Sequence, residues 1–180
     1  NLVLNENFSL SNVLYNANCS KTGNNLHFLR FEWEIPFMNK RRWVKYTKGG
    51  PYKKWSGNDS LYVEWRNGIQ MHYREDNISR ITERKYWYNE GVTFSTTATD
   101  ALSARIVQDS VYDMQGPTFF PKEGTVYRWA AVLNSTFSSY IAFTFNRTMV
   151  FQISDVFRIP FMRNQKIEVD LDLLGRFCFE

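Results

Sequence analysis

Thr125-Val126-Tyr127-Arg128-Trp129-Ala130-Ala131-Val132-Leu133 marks the point where the hydrophobic pattern of the chain changes period. Val126, Trp129, Ala130 and Leu133 recur at i, i+3, i+4 and i+7, a spacing that gathers apolar side chains on one helix face and lays it on a sheet. A second helix follows over Thr136 to Phe145. Upstream, the apolar residues fall into short strand-like runs: Leu26 to Ile35, Val92 to Thr97, Ser103 to Val107 and Val111 to Met114. Asn67-Gly68, between the β-prone runs Ser60 to Trp65 and Ile69 to Tyr73, predicts a hairpin. A short helix is expected over Thr82 to Asn89, with Gly91 just past its end. Met149 to Ile153 reads as extended, and Ile167 to Leu171, alternating with Glu168, Asp170 and Asp172, as a last strand. Residues 1 to 20 carry little periodicity and lead into the turn cluster Thr22-Gly23-Asn24-Asn25. Strands followed by helices, without regular βαβ alternation, predict an α+β fold: a mixed, mostly antiparallel twisted sheet with a few packed helices.

A chain of 180 residues suits a single domain. With 43% hydrophobic and 17% aromatic residues it is not disordered. No run approaches the roughly 20 apolar residues of a membrane span, so no membrane partner is expected. Cys19 and Cys178 are far apart and neither belongs to a CxxC pair, which fits a reducing, cytoplasmic setting. Asn-x-Ser/Thr triplets begin at Asn7, Asn18, Asn58, Asn77, Asn134 and Asn146. In a chain rich in these residues such triplets arise by chance, and neither a signal peptide nor closely spaced cysteines argue for secretion. The start at Asn1, without methionine, suggests a piece of something longer.

The net charge of +4 is mild but unevenly spread. Lys40, Arg41, Arg42, Lys45, Lys48, Lys53 and Lys54 crowd into residues 40 to 54 with no acidic residue among them, so a negative partner is the natural one. Gly49 and Gly50 are expected to permit unusual backbone conformations and let peptide N–H groups approach a ligand, and Pro51 stiffens the exit. Tyr46, Tyr52 and Trp55 interleave aromatic planes with the cations, a mixture suited to phosphate contact and stacking. The plainer alternative is a basic hairpin with its aromatics in the core and its lysines solvated.

His27 and His72 lack partners at metal-ligand spacing, which argues against zinc. No nucleophile elbow, P-loop or dinucleotide fingerprint occurs. Glu32 with Glu34, and Glu168 with Asp170 and Asp172, fit exposed strand faces better than an acid/base pair or the Mg²⁺ site of a nuclease. By residue types the chain is a binding module without a reaction. A protein- or glycan-binding interaction domain, with aromatics as its surface, is the alternative to nucleic-acid binding.

Several ordered stretches resemble one family. They are Thr22-Gly23-Asn24-Asn25 with Phe28-Leu29-Arg30; Lys48-Gly49-Gly50 with Lys54-Trp55 and Gly57-Asn58; Glu90 to Ser95 with Leu102-Ser103-Ala104-Arg105; Tyr112-Asp113, Gly116 and Phe119-Phe120-Pro121; and Val132 to Ser135 with Phe151 to Val156 and Ile159-Pro160. Together, over roughly residues 15 to 162, the chain resembles the C-terminal target-recognition region of adenine-specific DNA methyltransferases of the BREX (PglX) kind and of related single-chain restriction-modification enzymes. Departures from the family pattern are Lys54 for arginine, Ser56 for tyrosine, Phe94 for tryptophan, and Met114-Gln115 before Gly116; they bear on base preference more than on fold.

The resemblance implies reading of double-stranded DNA for an N6-adenine methyltransferase domain on the N-terminal side. That domain would carry the catalytic motif and bind S-adenosylmethionine; no cofactor is expected in this segment. Phosphates would be held by Lys45, Lys48, Lys53, Lys54 and the Gly49/Gly50 backbone, with Asn58 of the same marker beside them. Arg80, Arg84, Arg105 and Gln108 are the candidates for base edges, because arginine pairs with guanine and glutamine with adenine. For Arg105 the alternative is an ion pair with Asp113 inside the sheet, and Trp55 reads as a core anchor for its loop.

Overall fold

Leu10, Val13 and Leu14 are almost fully buried, and that burial organises an N-terminal segment whose sequence shows no period. The computed structural model describes residues 9–17, 19–97, 101–148 and 150–180, so the triplets at Asn7 and Asn18 and part of the extended piece expected at Met149 lie outside the described residues. In chain order the elements are α1 (Leu10–Val13), β1 (Leu14–Asn16), α2 (Asn25–Phe28), β2 (Leu29–Phe31), β3 (Trp43–Thr47), β4 (Leu61–Glu64), α3 (Asn67–Glu75), β5 (Gly91–Phe94), β6 (Ala104–Val107), β7 (Ser110–Tyr112), β8 (Thr118–Pro121), α4 (Val126–Asn134), α5 (Thr136–Phe145), α6 (Ile153–Phe157) and α7 (Gln165–Phe179). Short 3₁₀ turns cover Glu32–Glu34, Phe37–Arg42 and Arg84–Tyr86.

The fold is α+β, with two four-stranded sheets ordered β1-β8-β5-β6 and β2-β4-β3-β7. Every pairing is antiparallel except β3 with β7. The apolar face of α4 covers the first sheet, where Trp129 and Leu133 share a core with Val92, Phe94 and Phe119. Tyr46, Val63, Trp65, Tyr73 and Phe28 fill a second core around the other sheet. The expected helices at 125–133 and 136–145 form where the 3.6-residue period puts them, with Thr125 and Ser135 accepting backbone N–H groups at their N-termini.

The loop between β3 and β4 ties the two sheets together. The Trp55 N–H donates to the Ala104 carbonyl at 2.8 Å and the Ile106 N–H to the Trp55 carbonyl at 2.9 Å, so one residue of the loop extends the open edge of β6. Asn134 completes the joint: its amide exchanges hydrogen bonds of 2.8 and 2.9 Å with the Ala104 backbone. That side chain is buried and fully used, so the Asn134 triplet is no sugar acceptor.

Four elements differ from the sequence reading. The hairpin at Asn67-Gly68 is instead α3: Ile69 and Tyr73 are one helical turn apart, and Tyr73, 2% exposed, packs edge-on against Phe28. Burial of that tyrosine outweighs the turn signal. The helix expected at 82–89 shrinks to the single turn Arg84–Tyr86, because the Thr82 backbone N–H is tied to Ser20 and Tyr88 takes a positive φ of 64°. In the Leu26–Ile35 run, α2 and the Glu32–Glu34 turn leave only three strand residues, and the Glu34 carboxylate folds back to accept the Phe31 N–H at 2.7 Å.

The predicted strand at Ile167–Leu171 lies within α7, the longest helix among the described residues. Glu168 and Asp172 are four residues apart, hence on one face, and together grip the half-buried Arg128 of α4. Asp172 also accepts the Thr125 hydroxyl. Its partial burial raises its pKa, but the hydrogen bonds from Arg128 and Thr125 outweigh this and set it below the ordinary 3.8. With a folded value below the unfolded one, the contact stabilises the fold above about pH 4 and is lost as pH falls through the lowered value. Acid unfolding followed by circular dichroism should therefore show Asp172→Asn less stable at neutral pH, with a shallower loss of stability below about pH 4.

Candidate nucleic-acid interface

Strand β3 carries the basic run through the molecule, with Arg41 and Arg42 before it, Lys45 within it, and Lys48 and Lys53 after it. At about 3.3 Å per residue, Arg42 and Lys48 are separated by roughly 20 Å of strand. Arg41, Arg42 and Lys53 are exposed, whereas Lys45, Lys48 and Lys54 are half-buried. Among the described residues none of the seven cations from Lys40 to Lys54 lies within ion-pair distance of a carboxylate. Their positive potential is therefore left for an external anion.

Three depressions adjoin this strand and the loop after it. The first, of about 120 Å³, is lined by Lys45, Asn58, Arg105, Gln108 and Ser110 among others, so it gathers four sequence candidates from three separate segments. In the second, of about 170 Å³, Lys48 meets Lys21, Asn25 and Gln115. Gly49 and Gly50 border the third, with Ser95, Thr96 and Gln115. Lys21 was not picked out from the sequence, because it stands alone there; only its placement beside Lys48 puts it at the site. Arg80 forms a bridge with Lys21 and donates from Nε to the Cys19 carbonyl at 3.1 Å, which sets it next to the second depression. Arg84 is exposed in its 3₁₀ turn and borders none of the three.

The glycines act differently from the expectation. Neither Gly49 nor Gly50 has a positive φ. Gly49 is required for space: a Cβ there would stand 2.5 Å from the Gln115 carbonyl oxygen, and one on Gly116 would stand 2.9 Å from the Lys48 carbonyl carbon. The two glycines let residues 47–50 and 113–116 run in contact and fix the direction of Lys48. Beyond them, Trp55, Gly57 and Asn58 all have positive φ, at 71°, 100° and 59°. Such strain at a non-glycine residue is kept only where packing compels it. Trp55 supplies that packing against the first core, in line with its reading as an anchor. The Asn58 amide closes the loop on the Pro51 carbonyl at 2.9 Å.

Lys54 serves the fold as well as the surface, since its ammonium donates to the Asn134 carbonyl at the C-terminal end of α4 at 2.8 Å. Arg105 does not pair with Asp113, whose carboxylate takes the Tyr46 hydroxyl and the Gln115 N–H, each at 2.7 Å. Burial, with that carboxylate alongside, raises Tyr46 well above the usual phenol value. Arg105 itself is 1% exposed, gives one hydrogen bond to Ser95 Oγ, and leaves Nη2 without a partner among the described residues. Burial lowers its pKa to about 10, partly offset by Asp59. A buried charge held by so little costs stability. Arg105→Met should leave urea-unfolding stability unchanged or raise it by about 1 kcal/mol, which would mark the arginine as a residue the fold does not need.

No family model matches the chain. It is similar to the adenine-specific methyltransferase PglX of Lacticaseibacillus casei (strain Zhang), with 27% identity over 184 aligned positions covering 90% of this chain and 15% of that protein. It is also similar to the adenine-specific methyltransferase BrxX of Escherichia coli O9:H4 (strain HS), with 26% identity over 132 positions covering 71% of this chain and 11% of that protein. These similarities support an association with the adenine-specific methyltransferases. The chain spans about one seventh or less of the length of these relatives.

Proposed function

We propose that this chain is a single DNA target-recognition domain that reads duplex DNA for an N6-adenine methyltransferase of a BREX or restriction-modification system. The observation that carries the reading is the set of cations along β3 and its loop, which line adjoining depressions and make no ion pair among the described residues, although Asp59 borders the first depression and Asp113 the second. Phosphates would be held by Lys45, Lys48 and Lys53, with Lys21 and Arg80 alongside. Gln108 and Asn58 would meet base edges, while Arg105 supports them from beneath. Methyl transfer and S-adenosylmethionine binding would belong to another part of a longer polypeptide.

That part would pack on the outer face of α7, where Val169, Leu173 and Phe177 form an exposed apolar stripe at i, i+4 and i+8. A protein-binding role thus has its own place on the molecule, the exposed apolar stripe of α7. Fluorescence anisotropy with labelled duplex DNA over a range of salt concentrations tests the proposal. Phosphate binding gives a steep salt dependence, and binding through aromatic or apolar surface alone gives little.

A further inference from the structure

Ile35-Pro36-Phe37-Met38 stands one residue, Asn39, before the basic triplet Lys40-Arg41-Arg42, and the structure divides these residues sharply. Ile35 is buried at 8% exposure, whereas Phe37 and Met38 are 83% and 91% exposed. The tip that carries them is held by hydrogen bonds at both ends. The Asn39 N–H donates to the Pro36 carbonyl at 2.8 Å, the Trp43 N–H closes on the Lys40 carbonyl, and the Trp65 N–H reaches the Arg42 carbonyl at 2.8 Å. Beside it, the rings of Phe31 and Trp33 stack 4.6 Å apart and nearly parallel. A firm support thus projects two large apolar side chains into solvent, with three exposed cations that make no ion pair among the described residues.

An ordinary protein interface buries apolar side chains with few charges near its centre. Duplex DNA is the partner whose chemistry fits both halves of this patch. Phe, Met, Ile and Pro are residue types that wedge between base pairs, and such wedges work with cations on the flanking phosphates. Of the acids around it, Glu34 caps the Phe31 N–H, Glu64, opposite Trp43, pairs with Arg66, and Glu32 lies with Lys40 and Tyr62 in a small pocket.

Resting on the DNA-reading role proposed above, we infer that Phe37 and Met38 form a wedge that enters a base step of the bound duplex while Lys40, Arg41 and Arg42 together clamp the adjoining phosphate. A wedge unstacks the step it enters and bends the helix, a deformation that eases extrusion of a nearby base. Pyrimidine–purine steps, which open most readily, would be its sites.

The test uses random-sequence duplexes of about 25 base pairs carrying 2-aminopurine at TA and CA steps, whose fluorescence rises on unstacking. Wild-type protein should bind them with steep salt dependence and raise the fluorescence. Phe37→Ala/Met38→Ala should bind roughly ten- to a hundredfold more weakly with the same salt slope and no fluorescence rise, its melting temperature unchanged because both side chains are exposed. Lys40→Ala/Arg41→Ala/Arg42→Ala should instead flatten the slope by about 0.9, the one phosphate of four that Lys45, Lys48 and Lys53 leave. If the Phe37/Met38 variant binds and unstacks DNA as the wild type does, the wedge is wrong and the DNA-reading role stands. If it binds DNA normally but no longer associates with a catalytic methyltransferase domain, the tip is a protein contact and the inference is overturned. If the wild type shows no salt-dependent binding, both fall together.

Discussion

Lys45→Ala/Lys48→Ala/Lys53→Ala should reduce the salt dependence of duplex binding from a slope of about −3.6 to about −0.9, the difference expected for three of four neutralised phosphates. Between 50 and 200 mM salt, the first slope corresponds to an affinity loss of about 150-fold and the second to only about fourfold. Lys54 is left in place because its ammonium supports the end of α4, so its removal would mix a folding defect with a binding one. The three chosen lysines make no ion pair among the described residues, so alanine at these positions leaves no buried acid unpaired. Melting temperature should move by no more than a degree or two. A triple variant with the wild-type slope would show that phosphates are held elsewhere on the molecule.

Gly175→Ala should be the most damaging single methyl group on the chain. A Cβ at that position would stand 2.1 Å from the Tyr127 carbonyl oxygen and 2.6 Å from its carbon, a backbone contact that no rotamer change relieves. The two helices meet there so closely that Phe179 and Arg176 both reach the Tyr127 ring, at 5.7 and 5.3 Å. Overpacking of this kind costs about 1–3 kcal/mol, and the better helix propensity of alanine returns up to about 1. Because the clash is with backbone, we expect a net loss of about 2 kcal/mol, or roughly 4–8 °C in melting temperature. A bulkier Gly175→Val should exceed it and abolish hydrogen-exchange protection in α7. An unchanged melting curve for the alanine variant would mean that α7 does not rest on α4 at this distance.

What the sequence revealed and what it hid divide along physical lines. Helices α4 and α5 were legible because Val126, Trp129 and Leu133 bury one face against a sheet, and burial repeats with the helical period. The strands β5, β6 and β7 were legible for the same reason, each buried along nearly its whole length. In α7 the acids at 168, 170 and 172 alternate as a strand would, yet the decisive pair is Glu168 with Asp172. Their meaning depends on Arg128, forty residues away. Around Asn67-Gly68 the local turn preference was real, but Tyr73 had a core position to fill, and tertiary burial decided the outcome.

The candidate site follows the same division. Its charge could be read from the run at 40–54, and among the described residues no carboxylate from elsewhere in the chain comes within ion-pair distance of those cations. Its geometry could not. Lys21 is isolated in sequence and reaches Lys48 only through the tertiary fold. Arg105 looked like a reader of bases, yet it sits beneath the surface on a strand edge that Trp55 covers. For the glycines the special φ expected from the sequence is absent, and Gly49 is needed so that two loops can touch.

The most direct test is the salt dependence of binding between the wild-type chain and a labelled duplex, measured by fluorescence anisotropy from about 50 to 200 mM salt. The present account predicts a log–log slope near −3.6, for about four phosphates neutralised. Binding with a slope near zero, or no binding even at the lowest salt, would contradict it.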